Sequence, residues 1–229
     1  MNLADLKSSF SIEKARKAQL QLAKRIIFED RLPKEIRYVA GVDTAYAGEL
    51  AVGAVAVLNF NSLELVEAQT ATRKVAFPYV PTLLSFRELP PTLLCIKKLK
   101  TPPDVFLVDG QGFAHPFRCG FASHLGVVLG KPTIGVAKSR LIGEAEPFGS
   151  RDFAYLWHDG EIVGVALKTS ARKVIYVSVG HMVLLETAIK IVRHCTRFSS
   201  VPEPLRIAHE MATAERNKIC SKHYHGSKM

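Results

Sequence analysis

The sequence predicts one α/β domain in which a mixed β-sheet is flanked by helices on both faces. Between residues 37 and 77, segments rich in Val, Ala, Thr and aromatic side chains alternate with turn-prone residues, which is typical of three strands joined as a meander. From residue 103 onward, short apolar runs alternate with helical patterns, as in sheets that contain parallel strands. The chain has 229 residues, which favours a single domain; we expect it to span 1–220, followed by a disordered tail at 221–229.

The first half of the chain predicts a helix, the meander and a helix interrupted by proline. Ser11 is a plausible N-cap for a helix within 11–30, where apolar residues recur at helical spacing. Strands are expected at 37–46, 50–60 and 64–77. A further helix is expected from Thr82, and Pro90 with Pro91 is expected to stop or kink it, so that 92–100 forms a second helical piece.

The second half predicts the alternation that completes the sheet. A buried strand is expected at 103–110, a helix at 119–130 and a strand at 132–139. Further strands are expected at 152–160, 161–168 and 173–180, with a hairpin turn at Asp159 and Gly160. Helices at 181–195 and 202–219 close the domain.

The composition limits the partners and the compartment. Lys and Arg total 31 against 21 Asp and Glu, a net charge of +10, which favours a polyanionic partner such as nucleic acid. The four cysteines stand far apart with no C-x-x-C pair, which argues against a zinc ribbon or a disulfide framework. No apolar run approaches the roughly 20 residues that span a bilayer, and the first residues lack a signal-peptide pattern. We therefore expect a cytoplasmic protein without a membrane partner, and a monomer.

Three carboxylates stand where this layout can gather them: Asp43 in the first strand, Glu88 in the proline-flanked helix and Asp109 at the end of the strand at 103–110. An ionised acid in the apolar surroundings of Asp43 is costly unless it is paired or bound to a metal. If the first and fourth strands are neighbours, Asp43 and Asp109 face each other, and oxygen ligands of this kind suit Mg²⁺ or Mn²⁺. A single Asp at a strand end is as readily a turn former or a helix cap, so spacing alone leaves both interpretations open.

The segment VDGQGFAHP, residues 108–116, is an unusual way to leave a buried strand. Gly110 and Gly112 allow another group to approach the backbone closely. Asp109 lies at the carboxyl end of the strand, where functional groups of open α/β sheets are commonly found.

Five strings, in order, resemble one family: VAGVD, FPYVPTLLSFRE, PDVFLVDGQGFAHP, GKPTIGVAKSRL and PEPLRIAH. They are similar to the endonuclease V family, the inosine-directed nicking nucleases with a ribonuclease H-like fold, from Tyr38 to His209. The resemblance implies that Asp43 and Asp109 bind the metal with Glu88 as the third acid. It also implies that Lys138 lies at the scissile phosphate and that His209 lies near the metal and the attacking water.

The resemblance also implies how the base is recognised. Tyr79, held between Pro78 and Pro81, matches the family's strand-separating wedge, and prolines on both sides stiffen such a loop. A flipped hypoxanthine would enter a pocket built from Gly110, Gly112, Leu84, Leu141 and His115. From the residues alone, Tyr79, Leu84 and Leu141 are equally consistent with core packing.

The implied reaction is a Mg²⁺-dependent nick at the second phosphodiester bond 3′ to inosine in DNA, leaving a 5′-phosphate and initiating repair, with Mn²⁺ as the alternative ion. Three alternatives stay open. They are an inosine-specific endoribonuclease acting on RNA, another ribonuclease H-like nuclease, and a non-catalytic binder of damaged strands. The strings PYVP and DGQGFAHP argue against the second, since cutting an RNA–DNA hybrid needs neither a wedge nor a base pocket.

Overall fold

A nine-stranded sheet organises the part of the chain that the computed structural model describes, residues 11–170 and 173–226. The strands are β1 (Tyr38–Ala47), β2 (Leu50–Asn59), β3 (Leu65–Lys74), β4 (Val105–Asp109), β5 (Thr133–Ala137), β6 (Glu144–Ala145), β7 (Phe153–His158), β8 (Glu161–Ser170) and β9 (Lys173–His181). The helices are α1 (Ile12–Ala23), α2 (Ser85–Ile96), α3 (Phe121–Leu129), α4 (Leu185–Cys195) and α5 (Glu203–Gly226).

The sheet is mixed, and its strand order is β3-β2-β1-β4-β5-β9-β8-β7-β6. The β1–β2–β3 meander is antiparallel, as the sequence predicts, and the pairs β1–β4 and β4–β5 are parallel. The remaining pairs are antiparallel, including the β7–β8 hairpin, whose turn residues Asp159 and Gly160 have φ of 55° and 75°. Positive φ at both positions is the backbone of the tight turn expected there.

Two glycines let helices lie directly on opposite faces of the sheet. A Cβ on Gly41 of β1 would stand 2.0 Å from the Pro204 carbonyl oxygen in α5, and a Cβ on Gly53 of β2 would stand 2.8 Å from the Pro91 carbonyl carbon in α2. Gly41 pairs with Ala56, which is three residues from Gly53, so the two glycines point to opposite faces. The predicted fold class, a mixed sheet with helices on both faces, is confirmed.

Each face of the sheet carries its own apolar core. On one face, Val39, Leu107 and Ile134 pack with α4 and α5. On the other, Val42 and Val108 pack with residues of α2 and α3. Because side chains alternate along each strand, the central strands are buried on both faces, which explains their nearly continuous apolar sequences.

One helix differs from the prediction. Pro90 and Pro91 do not end α2, which begins at Ser85, includes both prolines and continues to Ile96. The buried face of α2 includes Pro91, Thr92 and Cys95, and it packs on β2 at Gly53. Packing on the sheet offsets the two backbone hydrogen bonds that prolines cannot donate, so tertiary contact overrides local preference.

At the carboxyl end, the expected tail at 221–229 falls partly on α5, which runs to Gly226. Residues 227–229 lie outside the described residues. Cys95, Cys119 and Cys195 are buried free thiols, and Cys220 is an exposed one. None of the helices in the described ranges combines the length and the apolar character that crossing a bilayer requires.

Candidate active site

The register of β1 and β4 places Asp43 beside Asp109. Val42 pairs with Val108 in this parallel ladder, so the next residues lie at the same level: Asp43 in the middle of β1 and Asp109 at the end of β4. Neighbouring strands lie about 4.8 Å apart, and both carboxylates belong to the α5 face of the sheet. Asp43 is 8% exposed, and the Thr44 amide donates to its Oδ1 at 2.8 Å.

Helix α5 brings a third group to the two acids. Its residues Leu205 and Ala208 are buried in the core, which turns the next residue, His209, toward the strand ends. The Nδ1 of His209 lies 2.7 Å from Oδ2 of Asp43. Ligand atoms of Asp43, Asp109 and His209 all lie within 4.8 Å of one another, and among the described residues this is the group of side chains that can hold a metal ion.

Burial and neighbouring negative charge raise the pKa values of Asp43 and Glu88. Burial raises the pKa of Asp43, and the charge of Asp109 raises it further against the opposing hydrogen bond from His209. Burial raises the pKa of Glu88 well above its usual range, with the charges of Asp43 and Asp109 adding to the effect. Repulsion of this kind is relieved when a cation binds between the carboxylates, and two carboxylates with an imidazole suit a divalent metal.

Glu88 reaches the acids from the other side of the sheet. It lies on α2 with 8% of its surface exposed, on the buried helix face that also carries Ser85 and Cys95. It is not part of the three-residue ligand group, although its electrostatic coupling to Asp43 and Asp109 places it close to both. A buried carboxyl that tends to keep its proton is suited to proton transfer or to positioning water.

Lys138 stands at the end of β5, next to the acids. Its Nζ lies 2.7 Å from Oδ2 of Asp109. Burial opposes the charge of Lys138, but the hydrogen bond and charge of Asp109, together with the charge of Asp43, outweigh it and raise the pKa of the lysine. Lys138 is therefore a fixed cation at the strand ends.

A cavity of about 460 Å³ opens beside Asp109 and Lys138, and both residues form part of its wall. This volume lies in the range of small-molecule sites in proteins. The other walls come from the loop at 78–82, which we call the wedge loop, from the start of α2, and from the turn at 110–112, which we call the glycine turn. Residues 139–141, after β5, close the remaining side.

Most residues expected at the base pocket line this cavity, namely Leu84, Gly110, His115 and Leu141, and so do Tyr79 and Pro81 of the expected wedge. Leu84 and Leu141 are 37% and 47% exposed, and Tyr79 is 69% exposed, so these side chains do not pack in the core. The adjacent Leu83 is fully buried and anchors the loop instead.

Two of the expected residues lie outside the cavity wall. Gly112 lies beneath it, where a Cβ would stand 2.2 Å from the Val179 carbonyl oxygen and where its amide donates to Ser178 Oγ at 2.9 Å. Pro78 is not among the residues that line the cavity. The absence of a side chain at Gly112 thus serves close packing under the glycine turn, whereas Gly110, with φ of 154°, lines the cavity itself.

His115 is buried in the cavity wall and stays neutral at physiological pH. Burial, together with the nearby charge of Arg16, lowers its pKa to about 4. Its Nδ1 accepts a hydrogen bond from the Phe117 amide at 3.2 Å. A neutral imidazole adds a polar edge to the cavity without adding charge.

Sequence reasoning missed two residues of the site. Gln19 lies on α1, is 1% exposed and lines the cavity. The sequence pattern that could have revealed it is its position four residues after Ala15, which places its polar side chain on the buried face of the helix. Arg87 precedes Glu88, and its guanidinium carbon lies 4.8 Å from the ring centroid of Tyr46 and 5.9 Å from that of Tyr79. No local sequence pattern indicates that Arg87 lies over these two rings beside the acids.

Comparisons with known proteins give the family. The family model described as Endonuclease V matches residues 20–210. The chain belongs to the endonuclease V family. It is 49% identical over 216 residues to the endonuclease V of Thermofilum pendens, covering 93% of each chain.

Solved endonuclease V structures share the fold. The Streptomyces avermitilis protein superposes with a TM-score of 0.86 at 39% identity, covering 91% of this chain and 94% of the other. The Ciona intestinalis protein, solved with a 24mer DNA containing an inosine followed by a ribo-adenosine, gives a TM-score of 0.80 at 34% identity, covering 91% and 98%. The predicted family and the ribonuclease H-like fold are thereby confirmed.

Proposed function

We propose that this endonuclease V binds inosine in DNA and hydrolyses the second phosphodiester bond 3′ to it, in a reaction that depends on Mg²⁺. The products would carry 3′-hydroxyl and 5′-phosphate ends, and the nick would initiate repair. The observation that carries the proposal is that Asp109 belongs both to the group that can hold a metal and to the wall of the cavity, which it shares with its ion-pair partner Lys138. A base held in the cavity would therefore leave its own strand beside the acids.

The residues present fit a divalent metal. Asp43 and Asp109 offer carboxylate oxygens and His209 a ring nitrogen within 4.8 Å of one another. A bound Mg²⁺ or Mn²⁺ would polarise the phosphoryl oxygen and lower the pKa of water. We assign Asp43 and Asp109 to hold this ion, with Glu88 as the third acid of the site.

The other polar residues would prepare the phosphate and the water. Because its pKa is raised, Glu88 would be suited to exchange a proton with water near the phosphate. His209, hydrogen-bonded to Asp43, would orient the attacking water or the metal. Lys138 would move from its contact with Asp109 toward the scissile phosphate and stabilise the charge that develops there.

Recognition would rest on the cavity and the wedge loop. Tyr79 is exposed on a loop between two prolines, so its ring is available to fill the space that a flipped base leaves in the stack. Gly110 would let the backbone contact the edge of hypoxanthine, with Leu84, Leu141 and His115 around it. A net charge of +10 would supply attraction to the phosphate backbone.

The test is a nicking assay on paired oligonucleotides of one sequence, which carry either deoxyinosine or a single ribo-inosine. Each substrate is incubated with Mg²⁺ or with a chelator, and Asp43→Ala serves as the inactive control. We expect cleavage of the DNA at one fixed bond 3′ to the lesion, lost with the chelator and with the variant.

Each other outcome changes the proposal in a defined way. Preference for the ribo-inosine substrate would keep the catalytic residues and transfer the activity to RNA. Binding without a metal-dependent cut in either substrate would replace the nuclease with a binder of damaged strands. Cytoplasmic location and the monomeric state stay predictions from the sequence, and gel filtration tests the second.

A further inference from the structure

A buried side-chain amide joins two of the segments that form the cavity wall. The Nε2 of Gln19 donates to the carbonyl oxygen of Thr82 at 2.9 Å and to that of Cys119 at 2.8 Å. Thr82 belongs to the wedge loop, and Cys119 precedes Gly120, which packs against the glycine turn. These partners lie 63 and 100 residues away in sequence, so the contact fixes tertiary geometry.

Both ends of this bridge are sensitive positions. Thr82 has φ of 68°, a conformation that β-branched residues rarely adopt, so its backbone needs external support. At the other end, the Gly120 amide donates to the Gly112 carbonyl at 2.9 Å, and a Cβ on Gly120 would stand 2.3 Å from the Gln111 carbonyl oxygen. A displacement of either end would therefore move the wedge loop relative to the glycine turn.

Arg16, one turn earlier on α1, reinforces the bridge. Its Nη1 donates to Oε1 of Gln19 at 3.2 Å, and its Nη2 donates to the Pro81 carbonyl at 3.3 Å. Its guanidinium also lies over the Phe117 ring, 4.1 Å from the centroid. The orientation of the Gln19 amide is thus set, with its oxygen toward Arg16 and its nitrogen toward the two carbonyls.

We infer that Gln19 is a positioning residue that sets the distance between the Tyr79 wedge and the base cavity. The inference rests on the proposed function. Glutamine suits the task because one neutral amide nitrogen carries two hydrogens, enough for two carbonyls. Glutamate has no donor when ionised, and methionine matches the length of the side chain without any donor. Gln19 touches no reacting atom, so its effect passes through the wedge loop.

The experiment compares inosine in a duplex with inosine in a single strand of the same sequence, under single-turnover conditions with Mg²⁺. The variants are Gln19→Met and Gln19→Glu, and the control is Gln21→Met, an exposed glutamine on the same helix. A wedge separates strands only in the duplex. We expect Gln19→Met to slow duplex nicking by about tenfold and single-strand nicking by less than about threefold, with Gln21→Met unchanged.

A double-variant cycle separates positioning from general loss of structure. If Gln19 acts through the wedge, adding Gln19→Met to Tyr79→Ala causes no further loss on the duplex. Fluorescence of 2-aminopurine placed next to the inosine should likewise show less base extrusion in Gln19→Met. Equal losses on both substrates, or losses that add fully to those of Tyr79→Ala, would overturn the inference.

A second variant covers the case in which Gln19→Met fails to fold. Arg16→Met removes the contacts to Gln19 and Pro81 from a more exposed position, and it should give the same duplex-selective loss at a smaller size. Failure of the proposed function is distinguishable, because the wild-type protein would then nick neither inosine substrate. If the wild-type protein nicks both and the variants match it, only the role of Gln19 is refuted.

Discussion

Two neighbouring regions of the molecule are built in different ways: the acidic group, which consists of Asp43, Asp109 and His209, and the cavity beside it. Asp43 and Asp109 are placed by the backbone register of two adjacent parallel strands, and α5 adds His209 across a packed core. The cavity is assembled from loops, which are joined by side-chain hydrogen bonds such as those of Gln19. On the proposed function, the chemistry would therefore rest on the register of the central strands, and recognition would rest on segments whose geometry depends on single side chains.

This difference predicts that variants of the acidic group abolish cleavage but spare binding. The largest effect is expected for Asp43→Asn, which removes the negative charge proposed to hold the metal while it preserves the shape of the side chain. Nicking of inosine DNA should fall by at least about 10³-fold, because several kcal/mol of transition-state stabilisation depend on the ion. Gel-shift affinity for the same DNA should stay within about threefold, since the cavity is untouched.

The control is Asp159→Asn, the same substitution at an exposed hairpin turn. It should leave both rate and affinity unchanged. Loss of affinity in Asp43→Asn equal to the loss of rate would contradict the separation of chemistry from recognition.

Lys138 lies where the two regions meet, so it tests the boundary between them. Lys138→Met removes the cation and keeps most of the apolar length. We expect a loss of about 10²-fold in the single-turnover rate, the size typical of removing one group that stabilises developing charge. Lys131→Met, at the opposite end of β5, is the matched control. A change in affinity without a change in rate would assign Lys138 to binding alone.

Gly110→Ala is the corresponding change on the cavity side. Gly110 lines the cavity and has a φ of 154°, a backbone conformation that residues other than glycine rarely adopt. The strain should disturb the glycine turn and, if this turn contacts the base as proposed, reduce the ratio of cleavage of inosine DNA to cleavage of undamaged DNA by about tenfold. Gly149→Ala, where a Cβ meets no atom within 4 Å, should behave as the wild type. An unchanged ratio would mean that the glycine turn does not contact the base.

The same contrast explains what the sequence could predict. Asp43 and Asp109 could be singled out because both lie on apolar runs that predict buried strands, but only the structure shows that these two strands are neighbours. Glu88 was singled out with them as the acid of the proline-flanked helix, and the resemblance added Lys138 and His209, which the structure places against Asp109 and Asp43.

The missed features depend on tertiary contact. Helix α2 continues through Pro90 and Pro91 because it packs on the sheet at Gly53. Rules based on local sequence cannot predict such a tertiary contact. Gln19 forms its bonds with residues 63 and 100 positions away, so its role emerges only when both loops are in place. The position of Gly112 below the cavity wall likewise follows from its contact with β9.

The smallest expected effect is on the stability of the fold at acidic pH, and it concerns the cavity side of the sheet. Burial lowers the pKa of His124 to about 4, and its Nδ1 lies 3.0 Å from Oγ of Ser85, which lines the cavity. An unfolded histidine titrates near 6.5, so below that pH the unfolded chain binds a proton that the folded protein excludes. Stability therefore falls as the pH drops from about 6.5 toward 4, and this contribution is fully present above that window.

His124→Asn removes the titrating group and keeps a polar atom for Ser85. The variant will be less stable at neutral pH because it leaves space in a packed site, but its stability should depend less on pH. Between pH 7 and 5.5 we expect its free energy of unfolding to fall by about 1 kcal/mol less than that of the wild type, measured by urea denaturation. If the free energy of unfolding changes equally with pH in the variant and the wild type, the buried imidazole accepts its proton without unfolding. The cavity side of the sheet would then be no more sensitive to acid than the side that carries Asp43 and Asp109.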